Sequence, residues 1–391
     1  MRSLSKFRNT FFCLIYICWA SFYKIINTYN LPESIVNNIS LMRIANFSAL
    51  AAISIVILIN LEMENFRLNV IRICGELFLI ILASVISSNS TGMAFIVSII
   101  LIISSRNINF ETILKGFLFF SIVVFLLGLL LNYCGILPSM IRIEGLRLRN
   151  SLGFSYVSFP SQVLFYILAA WVVWRKEKIS YIELAILGIF TIEIYEKTRT
   201  TSPFVLSVLL IGYVLLLKIF NLSSIITRFK LTRILSSLTF PIAFFSLLWL
   251  MFKAPSSIFQ KVDQMVNNRL SLSLNGIKEF GSSLLGKKAV FSGYDAFGGS
   301  LNYNFVDSSY IQSLILNGWL FTIIIIFLFT VVCVKAVREK QEYLIAVLII
   351  ISIHSMFDPQ LMLLWYSPFP FLLGKTFNKD FWNEIFRLEK E

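Results

Sequence analysis

The sequence predicts an all-α polytopic integral membrane protein, with about twelve transmembrane helices and one long extracytoplasmic loop. Three observations carry this. Of the 391 residues, 57% are hydrophobic and only 14% are charged, whereas a soluble chain carries roughly a quarter charged residues. Apolar runs close to the roughly 20 residues that cross a bilayer recur along the chain, separated by short polar turns. Lys and Arg concentrate in alternate loops, the usual bias toward the cytoplasmic side.

Taken in order, the runs lie near 9–27, 44–61, 69–87, 91–105, 112–135, 154–174, 181–196, 203–220, 234–252, 307–334, 341–357 and 360–374. The start, M-R-S-L-S-K-F-R-N-T followed by an apolar run from Phe11 to Ile26, resembles a signal sequence. The run is long for one and no A-x-A site follows, so an uncleaved first span is expected. The turn S-S-N-S-T at 87–91 divides the third run from the fourth. Four regions follow: helices one to nine in 1–252, an extracytoplasmic loop at 253–306, helices ten to twelve in 307–374, and a tail at 375–391. The tail spaces Phe377, Phe381, Ile385 and Leu388 three or four apart, one apolar face suited to lying on the cytoplasmic membrane surface. Both termini are then expected inside, with Lys24, Arg43, Arg142, Arg147, Arg149, Lys197 and Arg199 as the basic residues of the outer short loops.

The net charge of +13 would point to nucleic acid in a soluble domain. Here the positive-inside bias and anionic lipid account for it, and no nucleic-acid partner is expected. Cys13, Cys18, Cys74, Cys134 and Cys333 form no C-x-x-C pair, and there is a single histidine, so neither a disulfide framework, a metal site nor a cofactor is expected. The chain has no convincing Gly-rich phosphate loop, G-x-S-x-G, H-E-x-x-H or D-x-D, which argues against an ATP-driven pump or a cytoplasmic nucleotide-sugar enzyme. It has no internal repeat and no paired broken helices in matching halves, the pointer to a secondary transporter.

Basic residues in outer loops run against the charge bias. Arg142, Arg147 and Arg149 fall in M-I-R-I-E-G-L-R-L-R-N-S-L-G-F, Lys197 and Arg199 in Y-E-K-T-R-T-T-S-P, and Arg269 opens R-L-S-L-S-L-N-G-I-K-E-F. A guanidinium forks onto phosphate oxygens, so three loops each supplying Arg suit one pyrophosphate; the competing reading is that each Arg snorkels to lipid head groups. Glu193 and Glu196 approach the outer end of a span with Arg199, as a base or as a plain ion pair. Glu183 reads as structural. Asp307, His354 and Asp358 are expected at one outer face. Asp307 is either a helix N-cap or a carboxylate at a site, and His354 either a packing residue or the active imidazole.

Four blocks carry a family resemblance: R-L-R-N-S-L-G-F at 147–154, T-R-T-T-S at 198–202, R-L-S-L-S-L-N-G-I-K-E-F-G-S-S-L-L-G at 269–286 and V-D-S-S-Y-I-Q-S-L-I-L-N-G-W at 306–319. In their order and spacing the chain resembles bacterial polysaccharide polymerases of the O-antigen or capsular repeat-unit type, within the O-antigen ligase and polymerase superfamily. Departures exist. Y-V-S-F-P-S-Q replaces an H-P-N-like run, and residues 253–306 hold no His, where the ligases place one; that favours polymerase over ligase. Arg142 and Gly153 match an Arg, ten residues, then Gly spacing seen in some polymerases, and Arg269 with Gly281 misses it by one.

The resemblance implies a GT-C-like bundle in the bacterial cytoplasmic membrane, and a metal-independent transfer between two undecaprenyl-diphosphate-linked glycans at its outer face. Membrane lipids, a flippase and chain-length regulator proteins are the implied partners. Arg142 or Arg149, Arg199 and Arg269 would clamp pyrophosphate, with Asp307 or Glu196 as base and His354 nearby. The long loop would bring Arg269 onto the other arginines. The alternatives are a ligase-type glycan transferase, a lipid-linked oligosaccharide flippase, or a structural membrane protein.

Overall fold

The structure is a computed structural model that describes residues 2–63, 70–144, 147–293, 303–378 and 381. Residues 294–302 of the hydrophilic stretch lie outside the described residues, as do Ile385 and Leu388 of the tail. The chain is mostly helical. In order come α1 (Arg2–Thr28), α2 (Glu33–Val36), α3 (Ile39–Met63), α4 (Val70–Ile86), α5 (Met93–Ser104) and α6 (Phe110–Tyr133). A hairpin of β1 (Ile141–Glu144) and β2 (Arg147–Asn150) follows, then α7 (Phe159–Arg175), α8 (Tyr181–Thr198), α9 (Thr201–Ile219), α10 (Lys230–Ser237) and α11 (Thr239–Phe252). The chain closes with α12 (Ser256–Met265), α13 (Arg269–Phe280), α14 (Ser309–Leu316), α15 (Gly318–Arg338), α16 (Glu342–His354) and α17 (Phe371–Gly374).

Among the described residues six helices are long and apolar enough to cross a membrane, or seven if the pair α10 and α11, bent by 69°, is one span. This is a helical membrane protein, but the expectation of twelve spans is corrected. The qualifying stretches fall in the first, second, third, fifth, eighth and tenth predicted runs. The runs at 91–105 and 341–357 form shorter apolar helices. The run at 181–196 forms α8, whose Glu183, Glu193, Glu196 and Lys197 make it too charged. The run at 360–374 is mostly turn, with only the four-residue α17; Pro368 and Pro370 forbid a continuous helix there. The tenth run breaks at Asn317, between α14 and α15. The hydrophilic stretch 253–306 is not one open loop but carries α12 and α13.

Two compact units make up the chain. The first comprises residues 1–75, 97–220 and 363–378. In it α1 packs on α3 and α6, α6 on α7, and α7 on α8 and α9. The irregular segment before α17 is buried: Tyr16 donates to the Leu364 carbonyl at 2.9 Å, and its ring meets Phe371 edge-on at 4.7 Å. Non-helical backbone is tolerated at membrane depth only where protein covers it. Lys24, placed by sequence in an outer loop, is wholly buried in α1. Its ammonium donates to Ser121 Oγ at 2.8 Å and lies over the rings of Phe117 and Phe120. Helix starts follow local chemistry: Asn109 caps α6, and Ser180 with Glu183 forms a capping box on α8 that also engages Arg175 at 2.7 Å, so Glu183 is structural.

The second unit comprises residues 76–96, 221–362 and 379–391. There α15 packs on α10, α11, α14 and α16. Glu342, buried at the start of α16, accepts from the backbone N–H groups of Ile225 and Ile226 and from the Thr227 hydroxyl, fixing the turn before α10.

Candidate functional site

The second unit gathers four of the residues the sequence singled out, Arg269, Asp307, His354 and Asp358. Arg269 is the first residue of α13. Its Nη1 lies 3.1 Å from Asp358 Oδ2 and also donates to the Phe357 carbonyl, and its Nε lies 3.7 Å from Asp307 Oδ2. His354 Nε2 stands 3.2 Å from the same Asp358 oxygen. Burial is graded: the His354 and Asp358 side chains are sealed, while Arg269 and Asp307 remain 13% and 16% exposed. The Arg269 and Asp307 side chains are therefore partly reachable, backed by a buried Asp–His pair. A guanidinium between two carboxylates is held in one orientation, which is what recognition of a forked anion requires.

Each residue is delivered by a distinct local device. Asn267 and Asn268 both take left-handed backbone angles, φ 54° and 63°, a conformation Asn tolerates better than other side chains bearing a Cβ. The chain turns there between α12 and α13. Asp263, buried at the end of α12, then accepts from the backbone N–H of Leu270 and Ser271 at 2.9 and 3.0 Å and from the Ser271 hydroxyl. This carboxylate satisfies the first-turn donors of α13 from outside its own helix. Asp307 is not the N-cap of α14; that is Ser308, whose hydroxyl accepts from Ile311 N–H at 3.4 Å. Moving the cap one residue on leaves Asp307 beside Arg269. Ser309 accepts from Leu361 N–H and donates to the Asp358 carbonyl, and Tyr310 donates to the Ser352 carbonyl. The start of α14 is thus fastened to the end of α16.

The two more specific sequence blocks meet in this unit. A Cβ on Gly276 of α13 would overlap Val306, so the absence of one lets α13 approach the entry to α14. Gly286 and Gly318, with φ 80° and 84°, face each other so closely that a Cβ on either would strike the other segment's backbone. Hydrogen bonds from Trp319 N–H to the Ser283 carbonyl and from Lys287 N–H to the Ile315 carbonyl bracket the crossing. This crossing is why the tenth run is broken.

Two of the three loops expected to supply arginines also meet, within the first unit. Arg142 and Arg149 are direct cross-strand partners in the hairpin, so their side chains leave the same face. Arg149 is 9% exposed. Its Nε donates to the Thr198 carbonyl at 2.9 Å and its Nη2 to the hydroxyls of Thr200 and Ser158 at 3.2 and 3.3 Å. Arg149 therefore grips the turn at 198–200. Arg199 occupies that turn in a left-handed conformation, φ 49°, with its side chain outward, 2.6 Å from Glu196. Glu196 and Arg199 form a half-exposed ion pair, the plainer of the two readings. Toward the α7–α8 joint a cavity of about 250 Å³ opens between α6, α7 and α8, lined by Phe125, Leu126, Leu164, Trp171, Ile186 and Phe190, with Glu183 at its edge.

Sequence reasoning missed Asp263 and Ser309. The first had a signal, an acid followed by the Asn-Asn turn just before Arg269. Ser309, inside a polar S-S pair, had none. Among the described residues no group of three potential ligands could hold a metal ion. The chain matches no family model, no curated protein and no solved structure.

Proposed function

We propose that this protein is a membrane glycosyltransferase of the polysaccharide-polymerase kind, joining oligosaccharide repeat units carried on undecaprenyl diphosphate at the outer face of the bacterial cytoplasmic membrane. The observation that carries the reading is the Arg269–Asp307 pair, partly exposed and backed by buried Asp358 and His354. In the proposed step Asp307 takes the proton of the acceptor sugar hydroxyl, whose oxygen attacks the anomeric carbon of the growing chain. The bond from that carbon to the phosphate oxygen breaks and lipid diphosphate leaves. Arg269 meets the charge gathering on the leaving phosphates, the interaction that is strongest in the transition state. Asp358 orients Arg269, and His354 orients Asp358, so His354 acts as a positioning residue. The cavity between α6, α7 and α8 offers an apolar seat for an isoprenoid tail. The Lys and Arg residues of segments 1–10 and 375–391 support cytoplasmic termini, which six crossings allow and seven do not.

The test is the glycan profile of a deletion strain. Single repeat units with no ladder support the polymerase. Full-length polymer left unattached indicates the ligase, and intermediates trapped in the cytoplasm indicate a flippase; either overturns the proposal.

A further inference from the structure

The β1–β2 hairpin is built inside out. Its register pairs Ile141 with Asn150, Arg142 with Arg149 and Ile143 with Leu148. Alternation along a strand then puts Arg142 and Arg149 on one face and Ile141, Ile143 and Leu148 on the other. A hairpin on a water-soluble protein turns its apolar face to the core and its charged face to solvent. Here Arg149 is buried against the 198–200 turn, while Ile141, Ile143 and Leu148 are 63%, 75% and 62% exposed.

The position of the hairpin supplies the missing partner. Its base is tied to three helix ends: Asn30 N–H donates to the Gly153 carbonyl just after α1, Asn132 at the end of α6 donates to the Leu137 carbonyl, and Arg149 donates to the Thr198 carbonyl at the end of α8. A 24-residue helix such as α6 is about 36 Å long at 1.5 Å per residue, slightly more than the hydrocarbon core, so its last turn reaches the interface. That turn exposes Leu130 and Tyr133, and Ile136 follows. These residues add exposed apolar surface at the end of α6 from which the chain leads into the hairpin.

We infer that the hairpin is an interfacial membrane anchor. Ile141, Ile143 and Leu148 seat in the boundary between acyl chains and head groups of the leaflet at the carboxyl end of α6, and this seating holds the opposite face, with Arg149, against the 198–200 turn. The inference is independent of the proposed catalytic activity.

The test places a nitroxide on single cysteines at Ile141, Ile143 and Leu148 of the full chain, with the native cysteines replaced, in phospholipid nanodiscs. Val123 on the exposed face of α6 serves as the lipid reference and Lys178 at the α7–α8 joint as the water reference. Power saturation is read with oxygen and with a water-soluble nickel chelate. The expected result is oxygen accessibility at Ile143 and Leu148 at least threefold above that at Lys178, with nickel accessibility near that of Val123. Nickel accessibility equal to that of Lys178 overturns the inference. So does protection from both reagents, the mark of a covering protein, or spin–spin broadening that vanishes on dilution with unlabelled protein, the mark of a second copy. The three positions are independent variants, so loss of folding in one leaves the others to decide.

Discussion

At the scale of single residues, the cluster around Arg269 separates positions that bear on stability from positions that bear on chemistry. Asp358 is sealed between Arg269 and His354. Removing one member of such a buried pair leaves an uncompensated charge, at a cost of roughly 3–5 kcal/mol. Asp358→Leu and Arg269→Met are each expected to lower the melting temperature in detergent, and the double variant to recover part of the loss. Strict additivity in that cycle would deny the coupling. Asp307, at 3.7 Å and partly exposed, holds less of the fold. Asp307→Asn is expected to remove the glycan ladder with little change in melting. Arg269→Ala should lower polymer by at least about 100-fold per inserted protein molecule, beyond any loss of protein level, if it meets leaving-group charge. Arg269→Lys should rescue poorly because the fork is lost. Full-length glycan from the Arg269→Ala strain would remove that residue from the site.

Elements show where sequence reasoning reached and where it stopped. The approach of α13 to α14 rests on Gly276 lying against Val306. Gly276→Ala is expected to cost about 1–3 kcal/mol by overpacking, and Val306→Ala in the same chain to return part of it; thermal melts of the four variants decide. Asp263→Ala should cost about 1–2 kcal/mol through the lost cap of α13. The Gly276–Val306 contact joins two blocks the sequence singled out, whereas Asp263 lies outside them and was missed, although an acid ahead of the Asn-Asn turn is visible in a line of letters. The helices within 253–306 were not visible: α12 and α13 are short and mixed in character, and a polar stretch between apolar ones reads as loop. The Asp307 cap was displaced because D-S-S offers adjacent capping residues, and only the contacts of α14 with α16 choose among them. The inverted hairpin was also hidden, since I-R-I-E-G-L-R-L-R alternates equally well in either sense.

For the whole molecule, hydropathy identified a helical membrane protein without fixing the number of crossings. Length and composition see each apolar run separately, whereas Pro368 and Pro370, the charges of α8 and the Gly286–Gly318 crossing decide which runs become continuous helices. Orientation stays an expectation from loop charge, for six crossings with cytoplasmic termini. Reporter fusions at Lys176 and Ser283 are expected to read cytoplasmic and extracytoplasmic respectively, and the reverse result would overturn it.

Lys24 carries a consequence for biogenesis. A lone α1 entering the bilayer during synthesis has neither Ser121 nor the rings of Phe117 and Phe120, which arrive almost a hundred residues later on α6. Until then the ammonium, near the end of α1, is able to reach the water interface along its own stem. Docking of α6 withdraws it. The first helix therefore begins as a provisional insertion and becomes a committed one only when the sixth is made, so ribosome-stalled chains ending before and after residue 133 should differ in whether an aqueous amine reagent labels Lys24.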